Sequence, residues 1–127
     1  MKRCCCAHGS CELDRSPIRA AARCACVIAG AEENEIETIS EYASLLGLLF
    51  QITDDLLDVT SHAGVLGKTP GKDVQAEKAT YISLYGIEKA REMAQKVHAE
   101  ALEKLAALDR DAALLKEIAD YVLYRKN

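Results

Sequence analysis

Beyond residue 16, apolar residues recur at three- and four-residue intervals, the spacing that lines one face of an α-helix. Ser16-Pro17 predicts the start of a first helix, since serine favours the cap and proline the first helical position. Ile18, Ala21, Ala22, Ala25, Val27 and Ile28 follow, with Arg19 and Arg23 one turn apart, and Gly30 suits the left-handed residue that ends such a helix. An acidic run over 32–37 leads into a second helix, its charges placed where the helix dipole favours them. This helix is predicted over 35–59, with Ile36, Ile39, Ala43, Leu46 and Phe50 as its stripe. From Leu45 onward it is apolar nearly all round (Leu45, Leu46, Leu48, Leu49, Phe50, Ile52, Leu56, Leu57), which predicts a central, buried helix. Its last turns carry Asp54, Asp55 and Asp58, and Asp54 continues the stripe, so it is expected to point where a core residue would.

A connection over 60–79 follows, with Gly64, Gly67, Pro70 and Gly71 and the lysines Lys68, Lys72 and Lys78. A linker this long inside a compact chain is usually functional or disordered. A short helical piece over 81–85 breaks at Gly86. The segment 87–108 reads as an amphipathic helix with Ile87, Ala90, Ala94, Val97, Ala101, Leu105 and Leu108 on one face, supported by Glu92/Lys96 and Glu100/Lys104 pairs one turn apart. A last helix over 111–125 carries Leu115, Ile118 and Val122 as its stripe, with Arg125 and Lys126 suited to its C-terminal end. The pattern therefore predicts an all-α fold.

Composition narrows the function class. A chain of 127 residues allows one domain at most, and 50% hydrophobic with 28% charged residues excludes a chain disordered by composition. One Phe, no Trp and two Pro favour helix over a β-architecture. The longest apolar run, 45–50, is too short to span a bilayer, and 1–6 lacks the apolar centre of a signal peptide. The expected setting is cytoplasmic. A net charge of −4 argues against a nucleic-acid partner. Four of the six cysteines, Cys4, Cys5, Cys6 and Cys11, cluster around His8, in a spacing that matches no usual zinc pattern. Residues 1–15 are expected to be a Cys-rich leader, unstructured or unrelated to the rest, while Cys24 and Cys26 are expected to be small buried hydrophobes.

The chemistry concentrates in Asp54-Asp55-x-x-Asp58. On a helix, Asp54 and Asp58 stack one turn apart with Asp55 beside them. Three carboxylates on an otherwise apolar helix need a cation or partners, because an isolated buried charge is costly. Such a cluster suits Mg²⁺, which takes one or two carboxylates and completes its shell with water and phosphate oxygens. Gly67-Lys68 and Gly71-Lys72 place flexible backbone beside point positive charges just downstream, which suits a diphosphate. His62 and His98 read as ordinary surface or helix residues.

The stretch Gly47-Leu-Leu-Phe-Gln-Ile-Thr-Asp-Asp-Leu-Leu-Asp58, then Leu66-Gly-Lys-Thr-Pro-Gly-Lys-Asp73, then Glu77-Lys-Ala-Thr-Tyr81, resembles the trans-polyprenyl diphosphate synthases, the family of the farnesyl and geranylgeranyl diphosphate synthases. Phe50-Gln51-x-x-Asp54-Asp55-x-x-Asp58 looks like the second aspartate-rich motif of that family. The ending Ala119-Asp-Tyr-Val-Leu-Tyr-Arg125 looks like the C-terminus of its bacterial-type short-chain members. The resemblance implies a helical bundle around a central cavity, in which an allylic diphosphate loses its diphosphate and isopentenyl diphosphate attacks the resulting cation. It implies Asp54, Asp55 and Asp58 as Mg²⁺ ligands, Asp54 foremost, and Gln51 beside the allylic substrate. It also implies Lys68 and Lys78 on the allylic diphosphate, with Asp54, Lys68 and Lys78 carrying the catalysis and Lys72 and Asp73 in a loop that closes over the site.

The family's first aspartate-rich motif and its upstream isopentenyl diphosphate-binding residues have no counterpart in this sequence. The positions matching an upstream Lys-Thr pair are Leu13 and Asp14. The expectation is a truncated synthase: 16–127 as the C-terminal helices, with one metal and diphosphate half-site and no turnover alone. The alternatives are a non-catalytic subunit or complementing fragment docking on another synthase chain, as a homo- or hetero-oligomer, and a gene fragment without function.

Overall fold

The computed structural model describes residues 16–63 and 80–126. Five helices make up this part of the chain: α1 (Ser16–Ile28), α2 (Glu33–Ala63), α3 (Tyr81–Tyr85), α4 (Ile87–Ala106) and α5 (Ala113–Tyr124). No strand occurs among the described residues, and the expected all-α class holds. No helix among them is long and apolar enough to cross a membrane. The leader 1–15 and most of the expected connection lie outside the described residues.

Local chemistry sets the helix ends. Gly30 takes φ +71°, its N–H donates to the Val27 carbonyl at 3.1 Å, and the Ala31 N–H donates to the Cys26 carbonyl at 3.0 Å. This crossed pair satisfies the last carbonyls of α1 and needs the left-handed residue that glycine supplies. At the start of α2 the Glu35 carboxylate accepts the Glu32 backbone N–H at 2.9 Å, and the helix overshoots the expected 35–59 at both ends. Thr80 opens α3 through a reciprocal cap: its hydroxyl accepts the Ser83 N–H at 3.1 Å while the Ser83 hydroxyl accepts the Thr80 N–H at 3.0 Å.

As its all-round apolar stretch predicts, α2 is central and touches each of the other four helices. Leu49 and Ile52 are fully buried against Ala90, Ala94, Val97 and Val122, while Tyr42 packs with Ala101, Leu105 and Ala119. Later residues of α2 thus meet earlier residues of α4, so the two run antiparallel, and α5 returns alongside α2. Small side chains at Ala90, Ala94 and Ala101 let α4 lie close on α2. The Tyr42 hydroxyl donates to the Leu115 carbonyl at 2.6 Å, and burial pushes it up to about 12. Glu41 pairs with Lys104 at 2.6 Å, and Glu35 with Arg110, tying the first half of α2 to the last turn of α4 and to the connection that follows it.

Several expectations need correction. Phe50, the end of the expected α2 stripe, is 43% exposed, and the stripe that meets α4 is Leu45, Leu49, Ile52 and Leu56. Asp54 consequently does not point into the core; Asp55 does. The buried face of α5 runs through Leu115, Ala119 and Val122, with Ile118 turned toward solvent. Cys24 is exposed and Cys26 half-buried, because α1 packs on α2 alone among the described helices. Lys104 reaches across to Glu41 instead of pairing within its own helix.

Urea unfolding distinguishes the two readings of the α2 face. Leu49→Ala should cost about 2–5 kcal/mol, the range for emptying a fully buried leucine site. Phe50→Ala should cost less, although phenylalanine is the larger side chain, because much of its ring is already in water. The reverse order would restore the stripe read from the sequence.

Candidate functional site

The last turns of α2 carry Gln51, Asp54, Asp55 and Asp58, and the helix geometry gives the three carboxylates two different environments. Asp55 is 9% exposed. One of its oxygens accepts the Tyr81 backbone N–H at 3.3 Å, the first amide of α3, and the other accepts the Gln51 amide at 3.5 Å. Burial pushes its carboxyl above the ordinary range, against the pull of these two hydrogen bonds, and the charges of Asp54 and Asp58 add to the rise. Asp55 therefore joins the aspartate-bearing end of α2 to the start of α3.

Asp54 and Asp58 stand on the outer side. The Asp54 side chain is half exposed and its carboxylate takes the Arg125 guanidinium at 3.5 Å, while Asp58 is exposed. Arg125 comes from the end of α5, sits over the Phe50 ring with its guanidinium carbon 4.3 Å from the ring centre, and is largely buried. The sequence suggests Arg125 as a dipole complement and as part of the family-like ending, with no contact to the aspartates. The signal was available: the buried face 115, 119, 122 continues at 125, so Arg125 follows the face that packs on α2. Likewise His98, expected to be ordinary, is largely buried, bonds Asp120 at 2.6 Å and meets the Tyr124 ring edge-on at 6.2 Å.

The structure brings Gln51, Asp54, Asp55 and Asp58 to one end of the bundle. Lys68, Lys72, Asp73 and Lys78, expected to hold diphosphate, lie outside the described residues. Among the described residues, no three His, Cys, Asp or Glu side chains gather in a way that could hold a metal ion. What the arrangement offers is two outward carboxylates one turn apart, which can supply part of the shell of a hard cation whose remaining oxygens come from elsewhere. An apolar hollow of about 310 Å³ opens at the other end of the bundle, but of its charged lining residues Glu35 and Arg110 are bonded to each other and Asp111 accepts the Ala113 N–H at 3.0 Å.

Residues 16–122 match the family described as Polyprenyl synthetase. Over 111 residues the chain is 48% identical to geranylgeranyl pyrophosphate synthase 11, chloroplastic, of Arabidopsis thaliana, covering 87% of this chain and 31% of that protein. It is 48% identical over 109 residues to the geranylfarnesyl diphosphate synthase, chloroplastic, of Leucosceptrum canum, covering 85% of this chain and 30% of that one. It is also 43% identical over 111 residues to the heterodimeric geranylgeranyl pyrophosphate synthase large subunit 1, chloroplastic, of Arabidopsis thaliana, covering 87% and 30%. The chain spans less than a third of the length of these relatives.

The inward carboxylate has a pH signature. A carboxyl whose folded pKa lies above its unfolded value binds more protons when folded, so it favours the folded state at low pH. That contribution is lost as pH rises from the ordinary carboxylate range through the raised value. Asp55→Asn keeps an oxygen for the Tyr81 N–H and removes the titration. Urea midpoints measured with a chelator present should show a flatter pH dependence just above the ordinary carboxylate range. An unchanged slope would contradict the inward placement.

Proposed function

The chain belongs to the polyprenyl synthetase family, and we propose that it carries the second aspartate-rich half-site of a prenyltransferase joining an allylic diphosphate to isopentenyl diphosphate. The observation behind this reading is the split of the three aspartates, two outward and one inward, at the end of a buried helix. A core helix that exposes two carboxylates one turn apart is suited to a cation shared with a ligand.

The donor set fits Mg²⁺ bound partly through substrate: all-oxygen, anionic, and supplying fewer ligands than a closed site needs. Asp54 and Asp58 would hold it directly. Asp55 belongs to the same motif, and its contribution is to fix the α2 end against α3. Bound Mg²⁺ would neutralise charge on the diphosphate as it leaves the allylic carbon.

The chain's own residues supply the rest. Gln51, on the same turns, orients the allylic end of the substrate. Lys68 and Lys78 bind the diphosphate and, with Asp54, carry the catalysis. Lys72 and Asp73 belong to the loop that closes and excludes water from the allylic cation. With one carboxylate cluster in the sequence, the chain binds a diphosphate but does not turn over alone. The bacterial-type short-chain ending and a cytoplasmic setting are parts of the same reading. The plant relatives named above are chloroplastic.

A second reading, a subunit or fragment that docks on another synthase chain, draws on exposed apolar side chains. Val27 and Ile28 at the end of α1 and Leu114 and Tyr121 on the outer face of α5 are exposed. The heterodimeric large subunit among the relatives gives it a precedent. A compact monomer in sedimentation velocity would count against it.

Two measurements test the main reading. Calorimetry on the full chain should show binding of inorganic pyrophosphate only with Mg²⁺ present, and Asp54→Asn or Asp58→Asn should weaken it about tenfold or more, the scale of a charge-assisted contact. An isopentenyl-transfer assay should give no turnover from this chain alone. Pyrophosphate binding that ignores Mg²⁺ would overturn the half-site, and normal turnover would overturn its incompleteness.

A further inference from the structure

Arg125 reaches the aspartate-rich end of α2 with more donor capacity than its contacts there use. It lies beyond the last turn of α5, yet its guanidinium is largely buried between the Phe50 ring, 4.3 Å away, and the Asp54 carboxylate at 3.5 Å. The contact to Asp54 is at the long limit of a hydrogen bond, and the buried Nε–H of Arg125 finds no acceptor among the described residues. Burying a guanidinium N–H without an acceptor is costly. The arrangement therefore holds a cation with unused donor capacity against one of the two outward carboxylates.

We infer that Arg125 is the resident counter-ion of Asp54, an inference that rests on the half-site reading above. It neutralises Asp54 while no metal is bound and gives its guanidinium to a diphosphate when one is. The physical logic is charge balance. Asp54, Asp55 and Asp58 crowd three carboxyl groups into two helical turns, and Arg125 is the cation that meets Asp54. A divalent cation arriving at Asp54 meets the positive charge of Arg125 at short range and is opposed by it. A diphosphate brings negative charge, so the same arginine then becomes an asset, and its planar fork matches phosphate oxygens. The Phe50 face keeps the guanidinium in place when its partner changes, since a cation over an aromatic ring is attracted without a directed hydrogen bond. Arg125 is a positioning residue toward Asp54 and a candidate contact for the diphosphate.

The inference predicts opposite signs for two bindings, which a purely structural role does not. Calorimetry on the full chain with Arg125→Gln should show Mg²⁺ alone binding a few-fold tighter, and inorganic pyrophosphate at saturating Mg²⁺ binding about tenfold weaker. Arg125→Met, whose apolar stem still covers Phe50, should do the same and serves where the glutamine variant loses helix content by circular dichroism. Arg125→Lys keeps the charge and should leave Mg²⁺ binding near that of the unsubstituted chain. If both bindings weaken together, or neither moves, Arg125 is packing only and the inference is overturned. If pyrophosphate binding to the unsubstituted chain ignores Mg²⁺, the half-site reading falls and this inference with it. Mg²⁺ binding that R125Q and R125M leave unchanged overturns this inference alone.

Discussion

The contact between α2 and the alanine face of α4 decides most of what the molecule presents. Ala90, Ala94 and Ala101 are buried where Leu49, Ile52 and Tyr42 press against them. Small side chains on one helix leave grooves that large side chains on the other can fill, and packing of this kind fixes the rotation of a helix about its axis. Once Leu49 and Ile52 face α4, every other side chain on α2 has its direction set. Asp55, three residues beyond Ile52, must follow them inward, and Asp54 and Asp58 must stand outside. The aspartate-bearing end of the helix is thus positioned by apolar contacts made one and two turns earlier.

That dependence explains which features could be read in the sequence. The helices α1, α4 and α5 have polar faces, and their existence and approximate limits follow from periodicity. Gly30 and Gly86 marked real breaks, each with positive φ. The rotation of α2 was not legible. Between Leu45 and Leu57 the helix is apolar on nearly every face, and a segment without a polar side carries no phase. Extending the Ile36 to Phe50 stripe therefore landed on Asp54, whereas the face that meets α4 runs from Leu45 to Leu56. In α5 a smaller error has a similar origin. Ile118 and Ala119 lie side by side, hydropathy favours the isoleucine, and the space between helices took the alanine.

The motif itself was legible as chemistry before its geometry was known, because three acids at the end of an apolar helix need a cation or partners whichever way they point. Its partners were not legible. The first amide of α3 is a backbone group with no sequence signature, and it takes one of the three carboxylates out of solvent. Arg125 arrives from the other end of the described chain, seventy-one positions from Asp54. Between helices, the pair Glu41 with Lys104 is substantially exposed and contributes little to stability. The polar contacts that shape the site are the more shielded ones at Asp55 and Arg125.

The central claim is that the three aspartates of one motif do two jobs, Asp55 fastening α2 to α3 and Asp54 with Asp58 meeting a cation. Carboxyl-carbon chemical shifts followed by NMR during a Mg²⁺ titration read each aspartate separately. The account predicts that the Asp54 and Asp58 carboxyl signals move together with added Mg²⁺ while the Asp55 signal stays near its starting position. Movement of Asp55 ahead of the other two, or of all three equally, would contradict it.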